Sequence, residues 1–163
     1  MDQALYELSE KVGAMLKARR LMLAAAESCT GGWIGQALTM VPGSSAWFDR
    51  GFVTYTNQAK QQMLGVSAET LKRFGAVSEN VVREMAAGAL SRSQAQIAVA
   101  VSGIAGPDGG SADKPVGTVC VAWAGADGLG NEQQFRFAGD RDAVRRQSVI
   151  AALEGVLKRW PLP

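Results

Sequence analysis

Apolar residues recur at three- and four-residue spacing at Leu5, Leu8, Val12, Met15 and Leu16, which predicts an amphipathic helix over about Gln3 to Ala18. Lys17, Arg19 and Arg20 near its end suit the negative pole of the helix dipole. The pattern then changes. Leu21 to Ala26 is a continuous apolar run, as expected of a strand buried on both faces of a parallel sheet, and Gln96 to Val101 reads as a second buried strand. Between them the spacing predicts a helix from near Gly31 that carries Trp33, Ile34, Ala37, Leu38 and Met40, with its N-cap among Ser28, Cys29 and Thr30. A strand at about Gly51 to Tyr55 follows. Two short helices come next, capped by Asn57 and Ser67 and ended by Gly65 and Gly75. A longer helix over Glu79 to Gln94 turns Val81, Val82, Met85, Ala89 and Leu90 inward.

After the second buried run, Gly117 to Trp123 and the alternating Glu132 to Phe137 predict a hairpin. A final helix starts at Asp140 or Asp142 and buries Val144, Ile150, Leu153, Val156 and Leu157. Strands alternating with helices over 163 residues predict one α/β domain, spanning residues 1–163.

Composition narrows the function classes. Hydrophobic content of 47% and charged content of 20% fit a soluble globular chain. A net charge of +2, with no basic run and no aromatic–basic interleaving, gives no footprint for nucleic acid or an anionic membrane. No apolar run is long enough to span a bilayer, and Met1-Asp2-Gln3 lacks the features of a secretion signal, so a cytoplasmic location is expected. The two cysteines, Cys29 and Cys120, fit a reducing compartment, although one disulfide is open on sequence grounds. The chain has no histidine, which rules out a Ser-His-Asp triad and an HExxH zinc helix and makes a zinc site unexpected.

A hydroxyl nucleophile here must therefore find another base. The stretch Gly43 to Lys60 holds Ser44, Ser45, Tyr55 and Lys60, and a desolvated lysine can serve as that base. Ser45 as nucleophile, Lys60 as base and Tyr55 as relay would suit attack on an amide or ester carbonyl. The same residues also read as turn serines, a core aromatic and a solvated lysine. Cys29 is a rival nucleophile, with a pKa lowered by a helix N-terminus, or a small buried hydrophobe.

Two further stretches stand out. Glu27-Ser28-Cys29-Thr30-Gly31-Gly32 links strand to helix, as anion sites do and as plain capped helices also do. Ser102 to Gly110 is a glycine-rich loop at a strand end, where open α/β sheets place ligands. Arg141, Arg145 and Arg146 oppose the dipole of the last helix. They are either offset by Asp140 and Asp142 or face a bound phosphate.

Three motifs in order carry a resemblance: Ala26-Glu27-Ser28-Cys29-Thr30-Gly31-Gly32; Pro42-Gly43-Ser44-Ser45-Ala46-Trp47-Phe48 with Tyr55 and Lys60; and Ser102-Gly103-Ile104-Ala105-Gly106-Pro107-Asp108-Gly109-Gly110. Lys114-Pro115-Val116-Gly117-Thr118-Val119 extends it. Over essentially its whole length the chain resembles the CinA C-terminal domain family, the nicotinamide-nucleotide amidases. The resemblance implies a three-layer α/β/α sandwich with a mixed, largely parallel sheet, a homodimer, and no metal or organic cofactor. It implies hydrolysis of nicotinamide mononucleotide to nicotinic acid mononucleotide and ammonia. By residue, it implies Ser45 as nucleophile, Lys60 as base and Tyr55 as partner. It also implies Ser28, Thr30, Gly31, Ser102, Gly103 and Gly106 lining the substrate pocket, and Arg141 or Arg145 holding the nucleotide. Trp47 or Tyr55 would stack on the cationic pyridinium. Two other classes compete: a different Ser-Lys amidase or esterase, told apart by a panel of amides, and a nucleotide-binding module that binds without turnover.

Overall fold

The computed structural model describes residues Met1–Pro163. Its centre is a five-stranded mixed sheet of order β2-β1-β3-β4-β5. These are β1 (Leu23–Glu27), β2 (Phe48–Val53), β3 (Ile97–Gly103), β4 (Thr118–Gly125) and β5 (Gly130–Arg136). β1 runs parallel to both β2 and β3, while β4 is antiparallel to its neighbours β3 and β5. The helices are α1 (Gln3–Arg19), α2 (Trp33–Thr39), α3 (Asn57–Leu64), α4 (Ala68–Phe74), α5 (Glu79–Ser91) and α6 (Arg141–Arg159). A single 3-10 turn, Ser44–Ala46, leads into β2.

Side-chain size along the central strands assigns the layers. Strand residues alternate between the two faces of a sheet. Ile97, Val99 and Val101 of β3 and Val119, Val121 and Trp123 of β4 join one core with α1, α2 and α6. Ala98 and Ala100, with Cys120 and Ala122, face a second core with α3, α4 and α5. The small residues let α5 lie close on that face. Gly88 of α5 makes the closest approach: a Cβ there would stand 2.0 Å from the Leu64 carbonyl oxygen, so only glycine fits.

Several boundaries differ from the sequence expectation. β2 begins at Phe48 rather than Gly51, because the Trp47 carbonyl already accepts from Leu23 N–H of β1 (2.8 Å). Thr56, not Asn57, caps α3, its hydroxyl accepting from Ala59 N–H. α2 starts at Trp33 with Gly32 as a cap that offers no side chain. The cap on α4 is Ser67, as the spacing predicts, and of the two candidates for α6 it is Asp140. Cys29 and Cys120 are free and buried.

Register decides what meets at the end of the sheet. Glu27, the last residue of β1, pairs with Val53 on one side and Val101 on the other. The next residues, Ser28, Thr54 and Ser102, therefore emerge side by side at the carboxyl ends of three parallel strands, where α/β sheets build their sites.

Candidate active site

Lys60 reaches this point from α3. It is only 1% exposed, and its Nζ sits 3.0 Å from Ser28 Oγ, 2.9 Å from the Thr54 carbonyl and 3.3 Å from the Tyr55 carbonyl. Two of these partners are carbonyl oxygens, which only accept. The third is a hydroxyl, which both donates and accepts. A neutral amine has two N–H bonds and one lone pair. The arrangement therefore accommodates an uncharged Lys60 that donates to both carbonyls and accepts from the Ser28 hydroxyl. Burial holds the Lys60 pKa below the ordinary lysine value of 10.5, with the nearby Cys29 sulfur opposing that change.

Ser28 and Lys60 open onto a cavity of about 190 Å³. Tyr55, Asn57, Ser102, Gly103 and Arg141 also line it. Gly103 is needed where β3 passes beneath the loop: a Cβ there would stand 2.6 Å from Val119 Cγ2 and 3.1 Å from Cys29 Sγ. At the mouth Arg141 donates to the Gly106 carbonyl (2.8 Å) and to the Tyr55 hydroxyl (3.0 Å). Tyr55 is 59% exposed, an aromatic face available at the rim.

The loop from Ser28 to Gly32 is held from two directions. The buried Glu27 carboxylate accepts from the Thr30 hydroxyl (2.6 Å), Ile34 N–H (2.8 Å) and Gly35 N–H (3.1 Å). It does for α2 what the expected Ser28, Cys29 or Thr30 cap does not. From above, Arg145 donates to the Cys29 carbonyl (3.0 Å) and the Thr30 carbonyl (3.2 Å) and lies over the Trp33 ring. The N–H group of Cys29 bonds to no other backbone group, and Cys29 lines the cavity beside Ser28.

Within one chain the structure does not bring Ser45 to Lys60. Ser45 is exposed in the 3-10 turn before β2, whereas Lys60 packs against the residues after it. The length of the six-residue β2, roughly 20 Å at strand rise, separates the two. The hydroxyl beside Lys60 is Ser28, expected only to line the pocket. Tyr55 contributes its carbonyl to Lys60 and its ring to the mouth. Ser102, Gly103 and Arg141 reach the cavity wall, while Thr30, Gly31, Gly106 and Arg145 do not line it: Thr30, Gly106 and Arg145 are engaged in the contacts just described, and Gly31 adjoins Arg145. Arg146 pairs with Asp2 at 2.7 Å. Trp47 is buried against Gly13 of α1 and cannot stack on a ligand.

Cys29 does not match the activated thiol expected at a helix N-terminus. Its burial pushes the pKa up to about 11, because the thiolate loses hydration that the loop does not replace. Two cavity or loop residues escaped the sequence reading. Asn57 read as a cap, but since Thr56 does that work its carboxamide is free to line the cavity. Glu27 read as part of a turn. Its one sequence signal was an acidic residue ending an otherwise apolar strand. No three His, Cys, Asp or Glu side chains gather where they would hold a metal ion, and no helix is long and apolar enough to cross a membrane.

Comparison with known proteins places this geometry among relatives. Residues 5–160 match the family model described as the CinA C-terminal domain. The chain is 60% identical over 159 residues to the nicotinamide-nucleotide amidohydrolase PncC of Escherichia coli strain K12, covering 98% of this chain and 96% of that protein. It is 52% identical to the protein of the same name from Pseudomonas putida, covering 93% and 94%. The crystal structure of competence/damage inducible protein CihA from Agrobacterium tumefaciens superposes with a TM-score of 0.93 at 50% identity, covering 94% of each chain.

Proposed function

The chain belongs to the CinA C-terminal domain family, and from that premise we propose that it is an amidohydrolase of nicotinamide nucleotides, converting nicotinamide mononucleotide and water to nicotinic acid mononucleotide and ammonia. The names of the similar proteins from Escherichia coli and Pseudomonas putida support the substrate class. One observation carries the chemistry: the buried Lys60 amine, 3.0 Å from the Ser28 hydroxyl.

In this reading Ser28, rather than Ser45, is the nucleophile. Neutral Lys60 removes the Ser28 proton as Oγ attacks the carboxamide carbon. The Cys29 N–H, at the cavity wall, receives the developing oxyanion, a contribution of about 3 kcal/mol for one well-placed donor. Lys60 then passes its proton to the leaving nitrogen, and ammonia departs from an acyl-Ser28 ester. Water, deprotonated by the same amine, hydrolyses that ester and regenerates Ser28. Lys60 keeps its two carbonyl partners throughout, so the amine stays in place between steps.

A cavity of about 190 Å³ takes the amide-bearing end of the substrate. Most ligand pockets are larger, roughly 300 Å³ and above, so the ribose and phosphate extend past the mouth. There the Tyr55 ring meets the cationic pyridinium and the Arg141 guanidinium meets the phosphate. A homodimer fits the same reading: β2 is an edge strand beside the site, with Val53, Tyr55 and Met63 exposed near it.

Ammonia release from nicotinamide mononucleotide tests the proposal. Turnover by the parent and its loss in Ser28→Ala are expected. No turnover by the folded parent, or full turnover by Ser28→Ala, overturns it. Light scattering reads the dimer separately.

A further inference from the structure

Glu27 and Ser28 are adjacent, yet they serve opposite faces of the sheet. Glu27 follows Leu23 and Ala25 toward the α2 side, and Ser28 turns to α3 and Lys60. Glu27 is 1% exposed. Oε1 accepts from the Thr30 hydroxyl and Ile34 N–H, and Oε2 accepts from Gly35 N–H. Its backbone is held as well: its carbonyl accepts from Thr54 N–H (2.8 Å), and the next N–H, that of Ser28, donates to the Val101 carbonyl (3.1 Å). A carboxylate so engaged has no access to the cavity and no role as a base. What it does fix is the peptide unit from which the Ser28 side chain departs, together with the two turns that follow.

We infer that Glu27 is a positioning residue for the reaction: by anchoring α2 and Thr30 beneath the sheet, it sets the Ser28 hydroxyl against the Lys60 amine on the other face. This rests on Ser28 being the nucleophile. A carboxylate suits the task because all its lone pairs accept, and the three partners here are all donors. Glutamine in its place would turn one N–H group toward a backbone N–H and push α2 away. A displacement of about 1 Å at a nucleophile can cost on the order of 100-fold in rate.

The test compares Glu27→Gln and Thr30→Val with the parent in two assays. One is kcat and KM for nicotinamide mononucleotide across pH. The other is the rate at which a fluorophosphonate labels Ser28, located by peptide mass, which needs no nucleotide. In labelling, Ser28 Oγ bonds to phosphorus, fluoride leaves and Lys60 takes the proton. Circular dichroism gives the folded fraction, to which both rates are normalised.

For Glu27→Gln, both kcat and the labelling rate are expected to fall about 10- to 100-fold. KM should stay within about twofold and the pH midpoint should not move, because the base is still Lys60. Thr30→Val, which keeps the carboxylate, is expected to show a smaller loss of the same kind. Parent-like labelling in folded Glu27→Gln overturns the inference. If Glu27→Gln does not fold, parent-like labelling in Thr30→Val overturns it instead. A parent that is not labelled at Ser28 removes the nucleophile assignment and this inference with it. A parent that is labelled but leaves nicotinamide mononucleotide intact removes only the substrate assignment.

Discussion

Lys60 Nζ lies 3.0 Å from Ser28 Oγ, across 32 positions of sequence, in a buried setting shared with two carbonyl oxygens. A lysine ammonium in that place would lose most of its hydration. The structure offsets this with only three polar partners, none of them charged, so the neutral form gains ground. The expected chemistry of the protein follows from that one contact.

The choice of hydroxyl is directly measurable. Ser28→Ala is expected to lower kcat/KM for ammonia release by about three orders of magnitude or more, as removal of a nucleophile does in other acyl-transfer enzymes. Ser45→Ala, in an exposed turn at the far end of β2, is expected to stay within about threefold of the parent and to change stability by less than about 0.5 kcal/mol. A large loss in Ser45→Ala would show that the exposed turn reaches a catalytic centre after all.

Activity is expected to rise with pH as Lys60 loses its proton, with a midpoint below the ordinary lysine value of 10.5. The stability sign follows from the same lowered pKa. Between the folded pKa and 10.5 the unfolded chain binds more protons than the folded one, so this residue makes stability rise with pH, and its contribution is lost as pH falls through the folded pKa. Lys60→Met is therefore expected to abolish turnover and to make the slope of Tm against pH less positive than the parent's in that window, read by thermal melts at stepped pH. A more positive slope in Lys60→Met than in the parent would contradict the sign.

Cys29 is expected to resist alkylation in the native state at neutral pH, since it is 7% exposed and its pKa is pushed up to about 11. Iodoacetamide should modify it only after unfolding. Cys29→Ala should retain most ammonia release and lose about 1 kcal/mol of stability from the space left beneath Gly103. Rapid native alkylation that abolishes turnover would return the thiol to contention.

Two aromatics separate stability from binding. Trp47→Ala is expected to cost about 3–5 kcal/mol of stability, by emptying the space between α1 and the start of β2, with KM unchanged in whatever protein remains folded. Tyr55→Ala, at the rim, is expected to raise KM several-fold with little change in Tm. Denaturant melts and steady-state kinetics on both variants check the pair. The reverse assignment of effects would place the ligand elsewhere.

Much of this architecture was legible beforehand because its causes are local. Five apolar positions at helical spacing produce α1, Ser67 caps the helix it precedes, and Asp140, one of two candidates, caps the last helix. Uninterrupted apolar runs mark β1 and β3 because both faces of those strands are covered. The misplaced caps have a common reason. Several polar residues stood next to each helix start, and spacing alone does not say which hydroxyl points inward. At α3 the choice fell to Thr56, which released Asn57; at α2 it fell to no adjacent residue but to Glu27.

The sequence by itself determined the order of elements, the absence of an imidazole base and the motifs that mark the family, because each is a property of neighbouring residues or of composition. Tertiary structure alone decided which serine meets the lysine. Ser28, Ser44, Ser45 and Ser102 are equivalent as residue types, and contact at 3.0 Å depends on which strand ends lie together. Parallel pairing of β1 with β2 and β3 put Ser28, Thr54 and Ser102 at the carboxyl ends of the strands and left Ser45 at the opposite, amino end of β2, a consequence of register between segments far apart in the chain.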